Sequence, residues 1–196
     1  MARSAYAWTA SPSPSYTIER EGVLGPLFCF AMILVDPSIR ARFGRSAFIR
    51  RALEAFLAEA RRAAGLEGSV AALLTGDEEI RRLNREFRGK DKATDVLSFP
   101  AGEQTGRVRT AGDLAISVET AAREAERLGH ALDVELRVLL LHGTLHLAGY
   151  DHEADSGEMA RKENALRKKL GLAQGLIARA EAGGSKTSAP KRGRRP

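Results

Sequence analysis

His142, His146 and His152 lie within eleven positions of one another in LLLHGTLHLAGYDHE (residues 139–153), in a 196-residue chain with only four histidines. Burying three imidazoles on a leucine-rich segment without partners would cost about 1–3 kcal/mol each. On a helix, positions four apart stand one turn above each other on a single face, so His142 and His146 can reach one ion. Gly149 follows His146 by three, and glycine adopts the left-handed conformation that ends a helix and turns the chain. His152 comes three residues later and can return over the same face as a third nitrogen ligand. Structural zinc sites are usually closed by four ligands that include cysteine, whereas three protein ligands leave the open position of a catalytic centre. Imidazole donors favour zinc, with nickel, copper or iron as alternatives. A metal so held lowers the pKa of a bound water to about 7 and polarises a phosphoryl or carbonyl oxygen. His130 stands beside Gly129 at the end of a helical pattern and is read as an ordinary helix-terminal residue.

Such a site works only if the elements around it hold the three rings in place. LDVELRVLLLHGTLHLAG (132–149) is apolar on almost every side, the mark of a buried helix. AMILVD reads as a short buried strand opened by Met32 and ended by Asp36-Pro37. SAFIRRALEAFLAEARRAAG is an amphipathic helix with Ser46 as N-cap, Phe48, Ala52, Phe56 and Ala60 on one track and Ile49, Leu53 and Leu57 beside it. SVAALLTG is a strand stopped at Gly76, and DEEIRRLNREFRG a helix burying Ile80, Leu83 and Phe87, with acids in its first turn and Gly89 at its end. TDVLSFP and DLAISV are two further strands, separated by the polar, glycine-rich AGEQTGRVRTAG. ETAAREAERLG and SGEMARKENALRKKLG complete the helices, the latter capped by Ser156. The expected fold is α/β (α+β), a small mixed four-stranded sheet packed with about five helices and carrying a zinc-peptidase-like three-histidine site.

Residues 1–31, with their Ser/Pro-rich TASPSPSYT, read as an irregular N-terminal extension, 32–172 as the folded domain, and 173–196 as a C-terminal extension with a disordered basic tail. The last fourteen residues carry Lys186, Lys191, Arg192, Arg194 and Arg195 with no acid, five of the six net positive charges. The folded part is therefore nearly neutral, and the tail suits either nucleic-acid contact or simple solubility. The lone Cys29 allows no internal disulfide. The most apolar run, VLGPLFCFAMILV, has thirteen residues and contains Pro26, too short for a bilayer that needs about 20. It lacks the cleavage pattern of a signal peptide. We read the chain as soluble and cytoplasmic, with no membrane partner.

The spacing H-x3-H-x2-G-x2-H also matches the extended pattern of zinc peptidases, except that Gly143 stands where those enzymes carry their general-base glutamate. That difference argues against ordinary peptide hydrolysis. HGTLHLAGYDH (142–152), LNREFRGKDKATDVLSFP (83–100) and GDLAIS (112–117) together resemble the YbeY family of endoribonucleases, the bacterial rRNA maturation factors, over roughly Met32 to Leu172. The resemblance implies a single zinc ion (Zn2+) held by His142, His146 and His152, and cleavage of single-stranded RNA in 16S rRNA 3′-end maturation and ribosome quality control. It implies an rRNA precursor and the ribosome or small-subunit proteins as partners, and marks Arg88 as the basic residue needed for activity. A planar guanidinium suits a scissile phosphate and the charge of its transition state, while the plainer role for a helix-terminal arginine is to solvate the last carbonyls. Lys90 and Lys92 could hold flanking phosphates, Asp95 serves turn or ligand-orienting chemistry, and Asp151 orders the turn or a ligand ring. Two alternatives remain open: a metallopeptidase with an unusual base, and a ribosome assembly factor with a structural metal.

Overall fold

Ile33, Ala72, Leu114 and Ser98 lie in one row across four strands, and all four are buried because that face of the sheet carries the core. The strands are β1 (Ala31–Val35), β2 (Ser69–Thr75), β3 (Val96–Pro100) and β4 (Thr110–Ser117). The computed structural model describes residues 31–44, 50–102, 109–152 and 154–172. The sheet order is β1-β2-β4-β3, with β1, β2 and β4 parallel and β3 antiparallel to β4 at the edge, so the sheet is mixed. The expected Ser46 cap, Phe48 and Ile49, residues 103–108 of the 101–112 loop, Cys29 and both terminal extensions apart from Ala31 lie outside the described residues.

Among the described residues six helices pack around the sheet: α1 (Pro37–Phe43), α2 (Arg50–Ala64), α3 (Asp77–Arg88), α4 (Val118–Leu128), α5 (Leu132–Leu147) and α6 (Glu158–Lys169). The core-bearing face is covered by α2 and α5, with α4 and α6 packed outside α5. The opposite face of the β3–β4 end is covered by α3, whose Ile80 and Leu83 meet Leu97 and Ala115. As its all-round apolar sequence predicts, α5 is the central helix, burying Leu136, Val138 to Leu141 and Leu145. Among the described residues no helix is long and apolar enough to cross a membrane.

Three local expectations are corrected. Asp36-Pro37 ends β1 but also starts α1: Pro37 takes the first helical position and the Asp36 carboxylate accepts from Ser38 N at 2.8 Å. Only Ile39 of α1 is buried, so its sequence carries almost no apolar period. Strand β4 begins at Thr110 rather than Asp113, because Ala101 N donates to Ala111 O (3.1 Å) and pairs an otherwise polar stretch. Ser156 does not cap α6; the Asp155 carboxylate does, accepting from Gly157 N and Met159 N at 2.7 Å each. Two carboxylate oxygens satisfy two of the unpaired helix-terminal donors, which one hydroxyl could not.

Candidate metal centre and its surroundings

Two elements build the three-histidine cluster. His142 and His146 project from successive turns of α5, with ring centroids 4.8 Å apart and Nε2 atoms 3.2 Å apart. The helix ends in a corner: Gly149 has φ +88°, its N–H reaches His146 O (3.0 Å), and Tyr150 N reaches Leu145 O (3.1 Å). A Cβ at that φ would be strained, which is why the turn takes glycine. The Asp151 carbonyl then accepts from Ala154 N and Asp155 N at 3.1 and 2.9 Å, closing the turn that brings His152 back. The His152 ring lies 5.4 Å from that of His142 and 5.2 Å from that of His146. One ligand atom from each of the three falls within 4.8 Å of the others. His130 stands apart, with Nε2 3.0 Å from Glu135 Oε2.

The donor set fits a metal ion. Tetrahedral nitrogens about 2.0–2.1 Å from zinc are about 3.3 Å from each other, close to the 3.2 Å between the first two histidines. Ligand histidines must be neutral. His146 is held so at pH 7: its pKa is pushed down to about 4 by burial first, then by His142 and His152 and more weakly by Arg88, with Asp151 opposing. The rings also grade outward, from buried His142 through half-buried His146 to exposed His152, so one side of the cluster opens to solvent.

The depressed pKa of His146 has a consequence for the metal-free chain. Between about pH 6.5 and pH 4 the unfolded chain binds a proton at this residue that the folded chain refuses. Stability therefore falls as pH falls through that window. Thermal melting of metal-free protein against pH is expected to show this decline, and His146→Ala to flatten it. An equal slope in the variant would contradict the assignment.

Gly143 explains its own difference from the peptidase pattern. A Cβ there would come within 2.8 Å of Leu114 Cδ2 and 3.3 Å of Ser98 Oγ. The position faces the sheet, not the histidines, and Leu114 is itself buried, so its side chain can give way only by disturbing the packing around it. Gly143→Ala should thus lose about 1–2 kcal/mol, overpacking outweighing the roughly 1 kcal/mol an alanine gains in a helix. Denaturant unfolding checks this; a stabilised variant would show that α5 can lift off the sheet.

Arg88 ends α3 and is exposed. It is not spent on the last carbonyls, since Gly89 N takes Arg85 O (3.1 Å) and Lys90 N takes Asn84 O (3.2 Å). Its Nη2 instead donates to Ser98 O at 3.4 Å, across the sheet edge from Gly143, whose carbonyl accepts from Ser98 Oγ at 3.3 Å. The following loop is pinned by buried Asn84, whose Nδ2 donates to Lys92 O (2.7 Å), and by Arg81, which clasps Asp91 at 2.8 and 2.9 Å. Lys90 and Lys92 are exposed on this loop. Asp95 takes the turn role, its carboxylate accepting from Val96 N at 2.8 Å.

Sequence reasoning missed two residues. Glu163 of α6 accepts from His142 Nδ1 through Oε2 (2.9 Å), and its Oε1 accepts from Arg167 Nε (2.9 Å). Both side chains are buried, at 1% and 2% exposure, where charged residues are rare unless paired. The signal was available: Glu163 and Arg167 share the face of α6 that carries Met159 and Leu166, which are buried.

Comparison with known proteins gives a consistent match. A family model described as Endoribonuclease YbeY matches residues 39–171. The endoribonuclease YbeY of Koribacter versatilis is 56% identical over 132 residues, 66% of this chain and 82% of that protein. That of Nautilia profundicola is 54% identical over 112 residues, 57% of this chain and 79% of its own length. That of Solibacter usitatus is 45% identical over 144 residues, 74% of this chain and 95% of its own.

Proposed function

This chain belongs to the endoribonuclease YbeY family, and we propose that it cuts single-stranded RNA at a single zinc ion held by His142, His146 and His152. The observation that carries this is the convergence of one ligand atom from each of the three histidines to within 4.8 Å, near enough to Arg88 for its charge to act on His146. Zinc, when bound, supplies Lewis acidity and an activated water. The chain's own residues do the rest. His146 stays unprotonated and exposed His152 borders the opening. Arg88, free of capping duty, offers a planar fork to the scissile phosphate and to the charge that builds on it. Lys90 and Lys92 lie next along the chain and hold flanking phosphates, where counterion release makes binding fall with salt.

The natural substrate in this reading is the precursor of 16S rRNA at its 3′ end, with a role in ribosome quality control, in the cytoplasm. The nearly neutral folded part has little charge for steering RNA, so small-subunit proteins or the ribosome supply part of the targeting. Residues 32–172 act as the nuclease domain. The peptidase alternative loses its base, because position 143 faces Leu114 and Ser98 and has no room for a side chain. Metal analysis of the purified protein alongside cleavage of a single-stranded precursor RNA tests the reading. One zinc per chain with cleavage is expected; cleavage unaffected by a chelator would refute it.

A further inference from the structure

We infer that Glu163, braced by Arg167, is a positioning residue that fixes His142 in the one tautomer able to join the cluster. The inference rests on the metal-site reading above and extends it to α6. A carboxylate paired with a guanidinium can only accept hydrogen bonds, so the proton in the 2.9 Å contact belongs to His142 Nδ1. That leaves the lone pair of His142 on Nε2, the atom 3.2 Å from His146 Nε2. With the proton on Nε2 instead, His142 would point a donor into the cluster and could not bind a cation. Arg167 occupies the other carboxylate oxygen and holds Glu163 from four residues along the same helix. All three side chains have little or no access to water, so bulk solvent cannot replace any of these bonds. The chain passes from His142 through the corner and His152 into α6 and returns to His142 through Glu163. One α5–loop–α6 unit thus supplies all three imidazoles and the group that orients the first of them. A purely structural reading treats the pair as an α5–α6 staple.

The two readings part in a double variant, Glu163→Leu with Arg167→Met. Replacing both members of a buried ion pair by apolar residues of similar volume commonly leaves folding intact, whereas removing one strands the other. Full-length protein is compared with this variant by zinc competition against a chromogenic chelator, by thermal melting without metal, and by nitrogen-15 NMR of the metal-free histidine rings. The expected result is a wild-type His142 protonated on Nδ1, and a folded variant whose ring loses that preference and whose zinc Kd rises about 10- to 100-fold. A folded variant with wild-type zinc affinity, or a wild-type His142 protonated on Nε2, would overturn the inference. Wild-type protein that takes up no zinc would sink the nuclease-site reading instead, and the tautomer measurement would still decide the role of Glu163. If the double variant does not fold, the nitrogen-15 spectrum of the wild-type histidine rings decides alone: a proton held on His142 Nδ1 across the neutral pH range supports the inference, and one on Nε2, or an even mixture of the two tautomers, overturns it.

Discussion

Replacing His146 by alanine is expected to abolish zinc binding and lower cleavage of single-stranded RNA by about 10³-fold or more, while the protein stays folded. The size follows from the site's economy. Among the described residues three protein ligands are brought together, and position 143 has no side chain to stand by as a base. Losing one ligand therefore removes the Lewis acid and the activated water together. His146 is a cleaner target than His142. Removing the His142 ring would take the donor from one oxygen of Glu163, which is 1% exposed, and leave a cavity beside it, so any loss of activity would be confounded with loss of stability. His146 is only half-buried, and the contacts that keep it neutral all disfavour its charge, so alanine should be tolerated. Circular dichroism, zinc content and RNA cleavage on the same preparation check the expectation. A zinc-free variant that still cuts RNA would contradict it.

Arg88→Ala should cost about 10²–10³-fold in kcat for RNA cleavage with zinc content unchanged. The residue's backbone position is fixed independently of its side chain. Gly89 and Lys90 cap the helix, Asn84 and Arg81 pin the loop, and Glu119 of α4 accepts from Asp77 N (2.8 Å) at the other end of α3. The guanidinium is exposed and makes its described bond, 3.4 Å, to one carbonyl. Its removal should leave folding nearly untouched, and lysine should recover only part of the rate because it lacks the planar fork. Single-turnover cleavage with saturating protein separates this from weakened RNA binding. A full rate in Arg88→Ala would assign the residue to the surface.

The three-histidine cluster was legible from spacing alone because each part has a local mechanical cause: a helical turn for His142 and His146, a left-handed glycine at 149, and a short return to His152. Arg88 was not legible in that way. Its proximity to the cluster depends on α3 covering the sheet face opposite α5 and ending at the edge strand β3, a long-range arrangement with no sequence period. The strand order β1-β2-β4-β3 was hidden for the same reason. Glu163 and Arg167 were legible in part, since they fall on the α6 face that carries Met159 and Leu166. Yet KENALRKK also looks like a solvated helix face, and it is pairing with each other and with His142 that makes burial of the two charges tolerable there. α1 escaped because a proline after an aspartate serves equally well to stop a strand and to start a helix.

Zinc titration of the metal-free, full-length chain, with single-stranded RNA cleavage as the readout, probes the shared imidazole site most directly. Activity should be absent at the start, climb in proportion to added zinc and level off at one equivalent. Full cleavage before any zinc is added, or none at any ratio, would contradict it.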